Sequence, residues 1–334
     1  MNIAEIAKRA NVSTATVSRT LNQSGPVKAA TARKVWRAVT ELNYYPNSHA
    51  RTLVSGRSRL IGLIVSDITN PFFPELVRAF EELASQKQYD VLLTSTDYLT
   101  ARMTECLRRM LERKVDGVAM MTSEMDLGLI KELSRRNVPI VFMDVGQMGP
   151  RMSHVAIDYG NGVRQAVDHL VGLGHRNIAF ITGPLDLHSA RTRRQAFLDG
   201  MRHHGLAPDR KMLREGTHTA EGGFKAMASL LKLSKRPTAV VCSNDWTAIG
   251  ALHAAHADKL DVPGDISIVG FDDIPLARYA NPPLTTVQMT ASDVGATAFQ
   301  ALFRLIAEEA VEGDVYQIPT RLIERESTAK PKRR

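Results

Sequence analysis

The sequence predicts a small all-α helix-turn-helix domain followed by a larger, two-lobed α/β core. Three observations carry that prediction. Charge is segregated: residues 1–59 hold ten Lys and Arg against two Glu, the other 275 residues hold 33 bases and 33 acids, and the net +8 of the chain therefore lies wholly in its head. Apolar residues recur at helical spacing through residues 3–42. After Gly56 the pattern changes to β-rich runs alternating with helical stretches, in two successive series, as parallel sheets with right-handed crossovers require.

The composition bounds the rest. A chain of 334 residues has room for two or three domains, and 44% apolar with 23% charged residues is an ordinary globular balance. Cys106 and Cys242 are the two cysteines, too few for a disulfide scaffold or a cysteine zinc site. No apolar run approaches the roughly 20 residues of a membrane helix, and the first residues lack the apolar centre of an export signal. A soluble, cytoplasmic protein with no membrane contact is expected.

In the head, Ile3, Ile6, Ala7 and Ala10 fall at i, i+3, i+4 and i+7, the spacing of a short amphipathic helix. Asn11-Val12-Ser13 breaks it, and Ser13 is a good N-cap for a second helix from Thr14 to about Leu21, burying Val17 and Leu21 one turn apart. A third helix, about Thr31 to Leu42, turns Val35, Val39 and Leu42 inward with Trp36 beside them. Two short helices joined by a tight turn make a helix-turn-helix. The outward face of the second helix carries Thr14, Ala15, Ser18, Arg19 and Asn22. An arginine can make a bidentate contact to guanine, and Thr14 and Ala15 can meet a thymine methyl. Thr16, Ser18 and Asn22 suit phosphate oxygens, which fix register without reading sequence.

The stretch Ile3 to Asn22, reading IAEIAKRANVSTATVSRTLN, resembles the N-terminal signature of LacI/GalR-family transcriptional regulators. The resemblance continues through Leu42 to Leu53 and covers essentially the whole chain to Pro319-Thr320-Arg321-Leu322-Ile323-Glu324-Arg325. It implies a periplasmic-binding-protein-like core, base reading mainly by Thr14, Ala15 and Arg19, and Tyr44 and His49 among the DNA-contacting residues. It also implies a hinge helix near residues 47–55, too short to be stable alone. This helix forms when two subunits meet on operator DNA, with Leu53 wedged into the minor groove. The expected division is a DNA-binding domain over 1–46, hinge and linker over 47–58, and an effector-binding and dimerisation core over 59–328. Within the core, an N-lobe spans about 59–157 and 290–318, and a C-lobe about 158–289 and 319–328. Residues 329–334 are expected to be a disordered basic tail.

In the core, strands are predicted over Leu60–Val65, Asp90–Thr94, Gly117–Met121, Pro139–Met143, Asn177–Thr182, Thr238–Ser243 and Ile266–Gly270. The helices between them are predicted over Pro74–Lys87, Ala101–Arg113, Asn161–Leu173, Arg191–His204, Glu221–Leu231 and Thr247–Ala257. Ligands of open α/β sheets bind beyond the carboxyl ends of the strands. The residues there are Asp67, Phe72, Phe73, Asp144, Ser189, Arg193, Asn244 and Asp272, with Asp245 and Asp273 beside them. Carboxylates accept from hydroxyls, Arg donates a fork and aromatic rings cover apolar faces, a set suited to a polyhydroxylated ligand. Asp67, Asp158 and Asp245 have a second reading as helix caps. The resemblance places Arg193, Asn244 and Asp272 at effector-contacting positions. Leu187 and His218 stand where purine-binding members carry an arginine and a stacking phenylalanine. His218 therefore joins the effector set, and a sugar or sugar derivative becomes the expected ligand.

No Walker A motif, Gly-x-Ser-x-Gly elbow or His-Glu-x-x-His is present, and no enzyme activity, cofactor or metal is expected. Two other classes remain open on the sequence: a solute-binding protein of periplasmic type, and a DNA-binding architectural protein without effector. The expected partners are double-stranded operator DNA bearing an inverted repeat, a small-molecule effector and a second copy of the chain.

Overall fold

The computed structural model describes residues 2–22, 25–44, 57–122, 128, 132–133, 135–144, 149–207, 209–307 and 312–332. The chain divides into two compact units, residues 1–59 and 60–334.

In the first unit α1 (Ile3–Ala10) opens with a capping box: the Asn2 side chain accepts from the Glu5 N–H at 3.1 Å, and Glu5 accepts from the Asn2 N–H at 3.2 Å. It ends at Asn11, whose left-handed backbone (φ 53°) turns the chain, as asparagine tolerates better than most residues. Ser13 caps α2 (Thr14–Asn22) through the Thr16 N–H at 3.2 Å. Ile6, Ala7, Ala10, Val17, Val35, Ala38 and Val39 form the shared core with α3 (Ala29–Glu41). Trp36 departs from expectation: it is 46% exposed. One residue is 100° of helix, so the side chain following the inward Val35 turns away from the core.

The second unit holds two six-stranded sheets. The first runs β11-β5-β4-β3-β1-β2, from β1 (Leu60–Val65), β2 (Asp90–Ser95), β3 (Gly117–Met121), β4 (Ile140–Met143), β5 (Met152–Ile157) and β11 (Val315–Ile318). The second runs β12-β10-β9-β8-β6-β7, from β6 (Ile178–Thr182), β7 (Leu213–Glu215), β8 (Ala239–Cys242), β9 (Ser267–Asp272), β10 (Thr285–Gln288) and β12 (Arg321–Ile323). All pairings are parallel except β10 with β12, and Leu63 sits opposite both Leu93 and Ala119. The chain passes between the sheets after β5, β10 and β11.

Helices cover the sheets: α4 (Phe72–Gln86), α5 (Thr100–Glu112), α6 (Tyr159–Gly172), α7 (His188–His203), α8 (Ala220–Leu231), α9 (Asp245–Ala257), α10 (Pro275–Tyr279) and α11 (Ala291–Ile306). α4 and α11 approach so closely that a Cβ on Gly295 would lie 2.2 Å from the Leu76 carbonyl oxygen, and Phe80 meets Phe299 edge-on at 5.5 Å. Among the described residues no helix is long and apolar enough to cross a membrane.

The expected disordered tail is corrected over its described part. His175, 1% exposed, holds the Ala329 carbonyl at 2.8 Å through Nε2 and the Thr238 hydroxyl at 2.9 Å through Nδ1. Ser267 also bonds Ala329, and Lys332 reaches Asp265 at 2.7 Å. These backbone partners, invisible in composition, fix the segment through residue 332.

Candidate functional site

The polar face of α2 is the first candidate. Thr14, Ala15 and Arg19 are exposed, and Ser18 is half-buried. The Thr16 hydroxyl is shared with Ser13 at 2.9 Å and is already engaged in the cap. Tyr44 packs against the small core, and its N–H closes α3 on the Val39 carbonyl at 3.0 Å. His49, Leu53 and the side chain of Asn22 lie outside the described residues.

The second candidate is a cleft between the two sheets of the larger unit, at the carboxyl ends of their strands. From the first sheet, Ser66 follows β1 and its hydroxyl donates to Thr122 at 3.0 Å. Asn70 caps the Phe72 N–H at 3.1 Å, which starts α4 and presents Phe72 and Phe73 as an edge-to-face pair 5.3 Å apart. From the second, one face of α7 delivers Ser189 and Arg193 a turn apart, both 5% exposed. The Arg193 guanidinium lies 4.0 Å from the Tyr159 ring centroid and 4.6 Å from that of Phe271, a cation–π seat on two adjacent rings. Its edge reaches Asp272 at 3.9 Å, while its Nε is buried without a partner. A buried donor left unpaired costs about 1–3 kcal/mol, and this one is open to an acceptor.

Asp272 closes β9 with φ 112°, a backbone that residues other than glycine rarely adopt. Burial pushes its carboxyl up to about 7, against the pull of Arg193. Asp273 beside it is anchored by Arg325 at 2.5 Å and Gln288 at 2.9 Å. His218, also left-handed at φ 60°, lies close against Gly183, where a Cβ would come within 2.0 Å of its Nε2. Its Nδ1 faces the Ser243 hydroxyl at 3.3 Å, and the Tyr98 ring approaches it at 5.8 Å. Burial, then the charge of Arg193, drive this imidazole down to about 3, so it is neutral. Asn244 links the His218 carbonyl to α9, capping the Thr247 N–H at 2.9 Å.

Of the nine residues expected at the effector site, Phe72, Phe73, Ser189, Arg193, His218, Asn244 and Asp272 line this cleft together. Asp67 does not: its carboxylate folds back on Thr69 in a local turn, accepting from N–H at 2.8 Å and hydroxyl at 2.7 Å. Asp144 stands one layer behind, taking the Tyr159 hydroxyl at 2.5 Å. Burial raises it to about 7, opposed by Tyr159 and then Arg193. Asp245 is wholly buried between Thr286 and the Ile274 N–H and is structural. Asp158 caps α6 through the Asn161 N–H at 2.9 Å.

The sequence reading missed Tyr98, Met143, Tyr159 and Met289, which also line the cleft. Tyr98 was within reach, since it follows β2 by three residues and the strand-end rule applies to it. Tyr159 follows β5, a strand that was not predicted, so the rule had nothing to act on.

A basic helix-turn-helix and a two-lobed ligand cleft on one chain define a DNA-binding regulator with a sensor. Residues 2–47 match the family model of bacterial regulatory proteins of the lacI family, and residues 167–328 match that of the periplasmic binding protein-like domain. The HTH-type transcriptional repressor PurR of Proteus mirabilis (strain HI4320) is 36% identical over 98% of this chain and 96% of its own. The lac repressor dimer bound to operator and the anti-inducer ONPF superimposes with a TM-score of 0.88 at 31% identity, covering 98% and 99% of the two chains. A LacI family transcriptional regulator from Enterococcus faecium with bound ribose gives a TM-score of 0.73 at 29% identity, over 82% of this chain and all of that one. The chain belongs to the LacI family of transcriptional regulators, and it is a DNA-binding protein of transcription control. Of these relatives, the Proteus mirabilis PurR and the lac repressor are named as repressors.

Proposed function

We propose that the chain is a cytoplasmic repressor. It binds an inverted-repeat operator as a homodimer and is switched by a small polyhydroxylated effector, a sugar or sugar derivative, held between its lobes. The observation that carries this reading is Arg193, seated on Tyr159 and Phe271, facing Asp272 and keeping one donor unpaired. The cleft offers carboxylate, guanidinium, amide and hydroxyl groups around aromatic faces, which is how a protein grips a ring dense in hydroxyls. The ribose bound to the Enterococcus faecium relative is in keeping with that class. On the DNA side, Thr14, Ala15 and Arg19 are proposed to read bases. Thr16, Ser18, Asn22, Tyr44 and His49 position the unit on phosphates, and Leu53 wedges the minor groove.

Pairing is supported by apolar side chains left on the surface of the larger unit. Ile68 is 51% and Leu93 39% exposed, rimming a hollow with Pro74 and Val77, while Leu276 and Tyr279 are 44% and 83% exposed. Patches of this kind mark association surfaces. The effector acts by preferring one arrangement of the lobes, because a ligand of equal affinity for both shifts nothing.

Fluorescence anisotropy on a palindromic operator, with a sugar panel, tests the reading. Arg193→Ala and Asp272→Ala are each expected to keep operator affinity within a few-fold and to lose the response to the sugar that acts on the parent. A response surviving in both variants would refute the site.

A further inference from the structure

We propose that the effector cleft takes an uncharged ligand and rejects the phosphorylated and carboxylated forms of the same sugar; this rests on the reading of the cleft as a sugar site. The argument is a count of charges in a buried space. Arg193 is the one cation among the described residues that line the cleft. Two aromatic rings flank its guanidinium, Tyr159 at 4.0 Å and Phe271 at 4.6 Å, and its Nη2 already looks at Asp272 from 3.9 Å. A second carboxylate, Asp144, stands behind Tyr159 and draws on the same guanidinium. Two acids thus share one base in a region withdrawn from water.

Among the described residues no other charged basic group lines the cleft, and Arg278, in the neighbouring hollow that shares Phe72 and Asp272, is turned to Asp273 at 4.0 Å. His218 is held neutral by burial and by Arg193 itself. Arg191, at the start of the same helix, is turned to the Leu185 and Asp186 carbonyls at 2.9 and 2.6 Å. The first turn of α7, which has no side-chain cap, pulls the other way with about half a positive charge. Its N–H groups serve a neutral hydroxyl equally well, and they do not offset the roughly two charges of a phosphate ester. Burial pushes both carboxyls, Asp272 in the cleft and Asp144 behind it, up to about 7, and Arg193 opposes that rise only in part. A neutral sugar can donate hydroxyls to Asp272 and accept from the free Arg193 Nε, adding no charge.

Thermal unfolding of the full chain tests this with matched probes: ribose against ribose 5-phosphate, glucose against glucose 6-phosphate and gluconate, and inorganic phosphate against sodium chloride of equal ionic strength. At least one uncharged sugar is expected to raise Tm by several degrees, its charged partner by less than a third as much, and inorganic phosphate by no more than the salt control. Asp272→Asn without ligand is expected to raise Tm at pH 8 and leave it near the parent value at pH 5. A phosphate ester or gluconate stabilising more than its parent sugar, or an Asp272→Asn variant no more stable at pH 8, overturns the charge assignment while the sugar reading stands. Silence toward every sugar, with the Asp272→Asn gain present, overturns the sugar reading instead and leaves the charge count in place.

Discussion

At the scale of single residues, the cleft is a place where the fold gives up stability. Asp272 occupies a backbone region that costs about 1–3 kcal/mol, and its carboxyl ionises in the folded state only near 7. Its unfolded value lies near 3.9. Between those limits the folded chain holds a proton that the unfolded chain has released, so stability falls as pH rises from about 4 to 7. Asp144 adds to the same slope. His218 works in the opposite sense: its folded value is about 3, below the ordinary 6.5, so its contribution is lost as pH falls through the window from 6.5 to 3. The two slopes oppose each other. Asp144→Asn is expected to flatten the decline in Tm between pH 5 and 8, and His218→Asn to relieve the loss below pH 6; differential scanning calorimetry across that range separates them.

At the scale of elements, some structure was plain in the residues and some was not. β1, β3, β4, β6, β8 and β9 are buried on both faces and write themselves as unbroken apolar runs such as Leu60-Ile61-Gly62-Leu63-Ile64-Val65. β5, β10, β11 and β12 mix polar and apolar residues over three to six positions and were not predicted. α11 was missed too, although it is sixteen residues long. Gly295 weakens its helical signal, yet that residue is what lets α4 pack within contact of its backbone. The strand-end rule found six cleft residues because it depends only on the central strands, and His218 was added by the family resemblance. It placed Asp67 wrongly because an Asx turn and a binding carboxylate look alike in sequence.

Two element-scale outcomes follow from hydrogen bonds named above. Ser13→Ala removes the α2 cap and is expected to destabilise the small unit by about 1 kcal/mol, read as lowered hydrogen-exchange protection across α2. Arg325→Met leaves Asp273, whose side chain is 2% exposed, short of its 2.5 Å partner. Breaking a buried pair costs about 3 kcal/mol, and the melting temperature of the larger unit should fall accordingly. Gln288, which also bonds Asp273, ends β10, after which the chain crosses to the first sheet, whereas Arg325 follows β12 on the second.

At the scale of the whole molecule, the segregated charge and the exposed apolar patch make separate demands. The head carries all of the net +8, so operator affinity should fall steeply with salt, with a slope of about −0.9 per phosphate neutralised. The core is neutral, and on the proposed reading its role is association rather than attraction to DNA. Leu93→Asp places a charge in the hollow with Ile68 and Val77 and is expected to yield a monomer in sedimentation analysis. Its operator affinity should fall by more than tenfold, because one recognition helix reads only half of a palindrome. A monomeric variant with full affinity would refute dimeric binding.

The outward turn of Trp36 has a practical side. The chain contains two tryptophans, and the other, Trp246, lies in the first turn of α9, two residues after Asn244. Each compact unit therefore carries its own indole chromophore, one set on the reading head and one beside the sensor. Trp246→Phe should leave an emission spectrum that follows only the head, and Trp36→Phe one that follows only the core. Optical signals from the two units can then be recorded separately from the unlabelled protein.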